Sequence, residues 1–284
     1  MKFFRIHKNY YFIIVVLIAV IISSISIGYI LKLLHSKKLV YVLKINDIIS
    51  YEGLDIDSMY NFLKKFKGDG IILYIDSPGG GLETYKIVNA LKNLNVPKLC
   101  YVHYYATSAA YWICSQADYI IAEPHSVVGS VGGIIEIISY SRLFEKLGID
   151  VVIVKEGEYK DVGNPFRNIT EEEKELLRKK LNLIVEEFRN DVKSKRNLTN
   201  ESLVFSGLWF LGIESIDIGL VDSLGDFEDA KERISSMLNT SLDNIEFVFI
   251  SFEKKESLFE KLSRVFISEF YKLILRDLKV VVYS

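Results

Sequence analysis

Short apolar segments alternate with amphipathic segments along most of this 284-residue chain, and this alternation constrains the fold more than any other feature. Apolar runs of strand length bounded by turn signals indicate strands, whereas apolar residues three and four positions apart indicate helices. Strands are predicted at 39–45, 70–75, 98–103, 119–122 and 245–250, and helices at 57–66, 82–94 and 107–117. A capping box at 170–173 predicts a further helix that runs to about residue 194. This order of elements predicts an α/β domain.

Residues 11–31 form a nearly continuous apolar run without a charge. About 20 such residues span a bilayer as a helix. A cleaved signal peptide would have a shorter apolar core and a small-residue cleavage site, and no such site follows the run. We therefore expect residues 1–38 to be an uncleaved membrane anchor with a transmembrane helix at about 11–31. Basic residues flank the run on both sides, so charge leaves its orientation open.

The composition excludes several classes of function. A formal net charge of −2 provides no basic excess for binding nucleic acid. The two cysteines, Cys100 and Cys114, are interpreted as two buried thiols, because two cysteines do not amount to a disulfide framework. No cysteine or histidine spacing matches a metal site, and the motifs for phosphate and dinucleotide binding are not matched. We therefore expect no metal and no cofactor.

A glycine turn at 77–81, Ser-Pro-Gly-Gly-Gly, follows the second predicted strand. One interpretation is structural, since a tight strand-to-helix turn needs residues that adopt positive φ angles. The other is chemical, since glycines leave backbone N–H groups uncovered at the start of a helix, where they can bind an oxyanion. The spacing alone favours neither interpretation.

Two residues further along could supply a nucleophile and a base. Ser108 lies among alanines, where a serine is usually a cap or a small packing residue, and an isolated lysine such as Lys160 usually lies at the surface. His103 and His125 are alternative bases, but the sequence supplies neither with an orienting carboxylate. A serine hydroxyl needs a base, and a lysine amine can serve only after burial has removed its proton.

An ordered set of motifs favours the chemical interpretation of the glycine turn, Ser108 and Lys160, because together the motifs resemble those of a known family. From about residue 39 to 230 the chain resembles the signal peptide peptidases of the SppA type, which are relatives of the ClpP and crotonase fold. The motifs that carry it are Gly70–Leu73, Ser77–Gly81, Ala106–Tyr111, Ala117–Ile120, Val128–Gly132, Tyr159–Asp161, Pro165–Arg167, Gly219–Asp222 and Leu224–Gly225. The resemblance implies a ClpP/crotonase-like α/β fold of repeated ββα units, preceded by the transmembrane helix.

The resemblance also implies a role for each matched residue. Ser108 corresponds to the nucleophile and Lys160 to the general base of a Ser/Lys dyad. Ser130 corresponds to a serine that helps to orient the lysine. The backbone N–H groups of Gly80 and Ser108 correspond to the oxyanion hole.

At the level of the whole protein, the resemblance implies a membrane-anchored serine endopeptidase that degrades cleaved signal peptides. Residues 39–238 would form the protease domain, outside the cytoplasm, and residues 239–284 a strand and an amphipathic helix that pack on the domain or on a neighbouring subunit. The expected partners are peptide substrates, the lipid bilayer and further copies of the chain, in an assembly whose neighbours can complete the dyad. A crotonase-like acyl-CoA enzyme and a non-catalytic membrane scaffold remain the alternatives.

Overall fold

A computed structural model describes residues 14–27 and 37–254 of the chain. Residues 14–27 form helix α1. None of the helices within these two ranges has the length and hydropathy needed to cross a membrane. The transmembrane helix predicted at 11–31 is therefore described only in part and is not confirmed. The C-terminal amphipathic helix expected after residue 254 lies outside the described residues.

The second range contains alternating strands and helices, and the predicted α/β class is confirmed. Every strand and helix predicted above within this range is present, and the short strands at 127–129, 209–211 and 223–224 were not predicted. The elements are β1 (Lys38–Asn46), α2 (Ile56–Lys64), β2 (Gly70–Ser77), α3 (Thr84–Lys92), β3 (Lys98–Thr107), α4 (Ala109–Cys114), β4 (Tyr119–Ala122), β5 (Val127–Gly129), α5 (Ser141–Lys146), α6 (Glu171–Lys195), α7 (Glu201–Val204), β6 (Trp209–Leu211), α8 (Gly212–Ser215), β7 (Ser223–Leu224), α9 (Phe227–Met237), a 3₁₀ turn (Leu242–Asn244) and β8 (Ile245–Ser251).

The described strands form one eight-stranded sheet in the order β6-β5-β3-β2-β1-β8, with β4 pairing to β3 and β7. All pairs are parallel except β5 with β6. Strand β2 shows how the sheet is buried on both faces, because successive side chains point to opposite sides. Leu73 faces a core shared with α2, α3 and α4, whereas Ile72 faces a core shared with α9.

The parallel register determines where the functional residues meet. Ser77 at the end of β2 pairs with Ala106 of β3, and Thr107 pairs with Gly129 at the end of β5. The carboxyl ends of three neighbouring strands therefore lie at one edge of the sheet. The glycine turn, Ser108 and Ser130 each directly follow one of these ends.

Cys100 and Cys114 form a disulfide in the core. Both residues are fully buried, as expected, but the interpretation as two free thiols is wrong. Helix α4 folds back over β3 and brings the two Cα atoms to 5.4 Å, within the range that a disulfide bridges. The bond therefore joins the strand before Ser108 to the helix after it.

Candidate active site

Ser108 occupies the sharp junction between β3 and α4. Its φ angle is +54°, a value that is uncommon for residues other than glycine. Its amide donates a hydrogen bond to the carbonyl of Gly129 at 2.8 Å. The preceding hydroxyl, Oγ1 of Thr107, donates to the carbonyl of Pro78 at 3.0 Å. These two contacts fix the junction against β5 and against the glycine turn.

The glycine turn packs directly against this junction. Gly79 has a φ angle of +108°. A Cβ atom added there would lie 2.9 Å from Cβ of Ser108 and 3.0 Å from the amide nitrogen of Ala109. The first distance is shorter than real Cβ contacts and the second is tighter than most of them, so the close approach of the two segments favours glycine at this position.

Three backbone amides lie at the cavity of Ser108, and the two without an acceptor in the described part of the chain are not the pair that the resemblance implies. The Ser108 amide is already hydrogen-bonded to Gly129. The Ala109 amide begins helix α4 and has no carbonyl acceptor within the helix. The Gly80 amide has no acceptor among the described residues. The geometry therefore favours the amides of Gly80 and Ala109 as the two donors.

Ser108 opens onto a cavity of about 350 Å³ with mainly apolar walls. Helix α6 forms one wall, and Trp112 forms another by stacking on Phe188 with ring centroids 5.0 Å apart. No role for α6 was predicted, although apolar residues at 177, 181, 184, 185 and 188 already indicate one apolar face. The lining residues are Gly80, Gly81, Leu82, Ser108, Ala109, Trp112, Gly132, Gly133, Ile134, Ile135, Leu177, Lys180, Leu181, Ile184, Val185 and Phe188.

Ser130 lies next to the nucleophile candidate at the edge of the sheet. The parallel register pairs Thr107 with Gly129, so that Ser108 and Ser130 occupy equivalent positions one residue later. Ser130 also has a positive φ angle, +52°, and its amide donates to the carbonyl of Leu208 at 2.9 Å. The structure therefore brings Ser108, Ser130 and Gly80 together.

Lys160 is not part of this group in the single chain. It lies in a turn in which its amide donates to the carbonyl of Gly157 at 3.3 Å. The residue is exposed, and it does not line the cavity of Ser108. The turn belongs to a long segment, residues 132–169, in which α5 is the one helix that the structure describes.

His103 has a carboxylate partner that the sequence did not indicate. Its Nδ1 lies 2.9 Å from Oε1 of Glu123, which also accepts a hydrogen bond from the hydroxyl of Tyr101. The register between β3 and β4 explains the contact, because Val102 pairs with Ala122 and places the next residues side by side. Neither His103 nor Glu123 lines the cavity of Ser108, so this pair is not positioned as its base.

Comparisons with known proteins agree with the motifs. The sequence model of Peptidase family S49 matches residues 90–241, which is more than half of the chain. A candidate protease of Methanocaldococcus jannaschii is 38% identical over 195 residues, which cover 67% of this chain and 62% of the relative. A candidate signal peptide peptidase SppA of Enterococcus faecium is 31% identical over 218 residues, which cover 70% of this chain and 63% of the relative. The chain thus spans somewhat less than two thirds of the length of these two relatives.

Among solved structures, a variant of the 1510-N membrane-bound stomatin-specific protease matches with a TM-score of 0.49 and 18% identity. The match covers 75% of this chain and 98% of that one. That likeness is too low to assign a function. Because the sequence model of Peptidase family S49 matches more than half of the chain, the chain belongs to that family.

Proposed function

We propose that this chain is a serine endopeptidase in which Ser108 is the nucleophile and Lys160 is the general base. The observation that carries the proposal is the conformation of Ser108. A serine with a positive φ angle lies between a strand and a helix, beside uncovered amides and at the mouth of an apolar cavity. Family membership supports the class of reaction.

In this mechanism, Oγ of Ser108 attacks the carbonyl carbon of a peptide bond while Lys160 accepts the hydroxyl proton. The amides of Gly80 and Ala109 donate hydrogen bonds to the oxygen that becomes negatively charged. One such donor contributes about 3–4 kcal/mol to lowering the barrier. Lys160 then returns the proton to the leaving amine, and water hydrolyses the ester that remains on Ser108.

The base is proposed to come from a neighbouring subunit. Lys160 is exposed in the single chain, whereas a lysine base needs an environment that removes its proton. The segment that carries Lys160 also exposes large apolar side chains. Ile134, Val152 and Val154 are 84%, 85% and 93% exposed. Exposed apolar surface marks interaction sites such as subunit interfaces, and we propose that a second copy covers these side chains and Lys160 as well.

The proposed substrates are signal peptides released from preproteins. Their apolar cores fit a cavity with apolar walls, since burying apolar side chains supplies binding energy. A relative named as a signal peptide peptidase supports the same substrate class. Residues 11–31 are proposed to anchor the chain in the cell membrane as a single pass, because α1 carries exposed apolar side chains.

The catalytic domain is proposed to lie outside the cytoplasm. The disulfide between Cys100 and Cys114 supports this, since disulfides persist mainly in oxidising compartments.

The ClpP/crotonase-like arrangement is proposed for the finer fold, supported by parallel strands whose carboxyl ends converge at the site. A crotonase-like acyl-CoA enzyme would need neither Ser108 nor Lys160 to be reactive, and a membrane scaffold would need no cavity.

An active-site serine probe tests the proposal. The full chain, purified in detergent in its assembled form, is treated with a fluorophosphonate and assayed for cleavage of an unstructured peptide. We expect labelling of Ser108, and loss of both labelling and cleavage in Ser108→Ala and Lys160→Ala. Lys160→Arg should not restore activity, because arginine stays protonated.

The control for this experiment is His103→Gln, which removes the alternative base and should cleave like the wild type. Cleavage at the wild-type rate by Lys160→Ala, free of contaminating protease, would contradict the role of the lysine. Loss of cleavage in His103→Gln with retention in Lys160→Ala would replace the proposed base by the histidine.

A further inference from the structure

Three charged residues that follow Lys160 in the chain have no role in the mechanism above. They are Asp161, which directly follows the lysine, Arg167 at the end of Pro165–Arg167, and Glu173 in the capping box of α6. The structure brings all three side chains into one cluster.

The guanidinium of Arg167 lies between two carboxylates. Its Nε donates to Oδ2 of Asp161 at 2.6 Å. Its Nη1 and Nη2 donate to Oε2 and Oε1 of Glu173 at 2.8 and 2.5 Å. The two carboxylate side chains are only 9% and 8% exposed. A two-pronged contact of this kind fixes geometry more strongly than a single exposed ion pair.

Glu173 joins the cluster to the helix that forms the cavity wall. Its Oε2 accepts the amide of Thr170 at 2.9 Å, and its own amide donates to Oγ1 of Thr170 at 3.1 Å. This capping box fixes Glu173 at the start of α6. The same helix continues to the residues that line the cavity of Ser108.

Asp161 joins the cluster to the turn that carries the lysine. Its Oδ1 accepts Nζ of Lys155 at 2.5 Å, and Lys155 also donates to the carbonyl of Glu158 at 2.7 Å. The hydroxyl of Tyr159 donates to Oε1 of Glu172 at 2.8 Å. The neighbours of Lys160 on both sides are therefore fixed. No hydrogen bond or ion pair of its own side chain is present among residues 37–254.

We infer that Arg167 is a positioning residue for the proposed base. With Asp161 and Glu173 it connects the Lys160 turn rigidly to α6, so that the lysine is presented at a fixed place relative to the start of the cavity helix. The inference rests on the proposed function and deepens it. Asp161 accepts hydrogen bonds from Arg167 and Lys155, and Glu173 accepts hydrogen bonds from Arg167. These contacts hold the backbone on either side of Lys160 and do not involve its amine.

The test compares Arg167→Met, which keeps the apolar stem and removes the charge, with Arg167→Lys and Asp161→Asn. We expect kcat for peptide cleavage to fall by up to about 100-fold in Arg167→Met, because small displacements of a catalytic group have effects of that size. KM should change little, since the cavity is untouched. Arg167→Lys should recover only part of kcat, because an ammonium cannot reproduce the planar two-pronged contact.

The matched control is Arg178→Met, which removes a positive charge from the exposed surface of α6. Arg178 pairs with Glu175 one turn along the helix surface and is 67% exposed, so its loss should leave kcat unchanged. If Arg167→Met fails to assemble, Asp161→Asn provides the test, because asparagine preserves the shape of the side chain. This variant should also lower kcat while KM changes little.

A failure of the positioning role of Arg167 can be distinguished from a failure of the proposed Ser108/Lys160 dyad. Wild-type labelling at Ser108 that is lost in Lys160→Ala establishes the dyad independently of Arg167. If the dyad is established and the assembled Arg167→Met and Asp161→Asn variants both keep the wild-type kcat, the positioning role is overturned. An equal loss of kcat in Arg178→Met would also overturn it, because the effect would then be a general consequence of removing a positive charge on or near α6.

Discussion

At the scale of single residues, the backbone of Ser108 determines what the site can do. A non-glycine residue with a positive φ angle costs of order 1–3 kcal/mol. The hydrogen bond from the Ser108 amide to the carbonyl of Gly129 and the hydrogen bond from the Thr107 hydroxyl to the carbonyl of Pro78 offset that cost. Together they keep the Ser108 hydroxyl at the cavity. The conformation is thus held from two sides.

Gly79→Ala tests this arrangement. The new Cβ would approach the carbonyl of Thr107 to 2.8 Å and Cβ of Ser108 to 2.9 Å, so the junction must shift and cleavage should be lost. Gly148→Ala is the control, because Gly148 also has a positive φ angle but has open space around it. Both variants should lose about 1–2 kcal/mol of unfolding free energy from backbone strain. Equal cleavage by the two variants would show that the contact at Gly79 does not matter.

The sequence predicted Ser108, Ser130 and Gly80 through ordered motifs, and the register explains why the three meet. It could not predict that the Ser108 amide would bind Gly129, because that contact depends on the end of β5, a three-residue strand with no periodicity to detect. For the same reason the sequence could not indicate the Ala109 amide as the second proposed oxyanion donor.

At the scale of elements, the strand, the turn with Ser108 and helix α4 form one unit closed by the disulfide. The pattern predicted β3 and α4, but it ended the strand at residue 103 rather than at Thr107. It could not predict the disulfide, since two cysteines 14 residues apart pair only if the helix folds back over the strand. Tertiary packing determines that, not local propensity.

The disulfide gives a direct prediction. The unfolded protein, with no reductant added, should show no free thiol in a thiol-counting assay, and two after reduction. The double variant Cys100→Ala/Cys114→Ala should lose about 3 kcal/mol of unfolding free energy, as expected for closing a loop of this length. Two free thiols in protein purified under non-reducing conditions would contradict the pairing.

The cluster around Arg167 predicts a pH dependence of stability. Hydrogen bonds from Arg167 lower the pKa of Glu173 to about 2 and also lower the pKa of Asp161. Ordinary values in an unfolded chain are about 4.3 and 3.9. At pH values between the lowered pKa values of the folded state and the ordinary values, the unfolded state binds more protons than the folded state. The stabilisation of the folded state by these two carboxylates is therefore complete above about pH 5 and is lost as the pH falls towards 2.

Denaturant unfolding at a series of pH values between about 5 and 2 measures this effect. The wild type should lose unfolding free energy steadily as the pH falls. Arg167→Met should show a shallower dependence, because both carboxylates then approach their ordinary pKa values. Arg178→Met should follow the wild type, and a wild-type slope in Arg167→Met as well would contradict the assignment.

At the scale of the whole molecule, the fold of a single chain brings the proposed nucleophile Ser108 to the cavity beside the proposed donor amides, but leaves Lys160 exposed and outside that cavity. The motifs predicted both members of the dyad. They could not predict how far apart the fold would leave them, because the segment from 132 to 169 follows no strand or helix period over most of its length. Its exposed apolar side chains and the fixed turn around Lys160 both favour completion of the site by a second copy.

Mixing two inactive variants tests this central claim most directly. Ser108→Ala and Lys160→Ala subunits are purified separately, dissociated, mixed and reassembled, with exchange of subunits verified by mass. The account predicts that each variant alone cleaves no peptide and that the mixed assembly recovers cleavage and fluorophosphonate labelling, since intact Ser108 on one subunit can meet intact Lys160 on its neighbour. A mixed assembly with verified exchange that stays inactive, under conditions in which reassembled wild type is active, would contradict it.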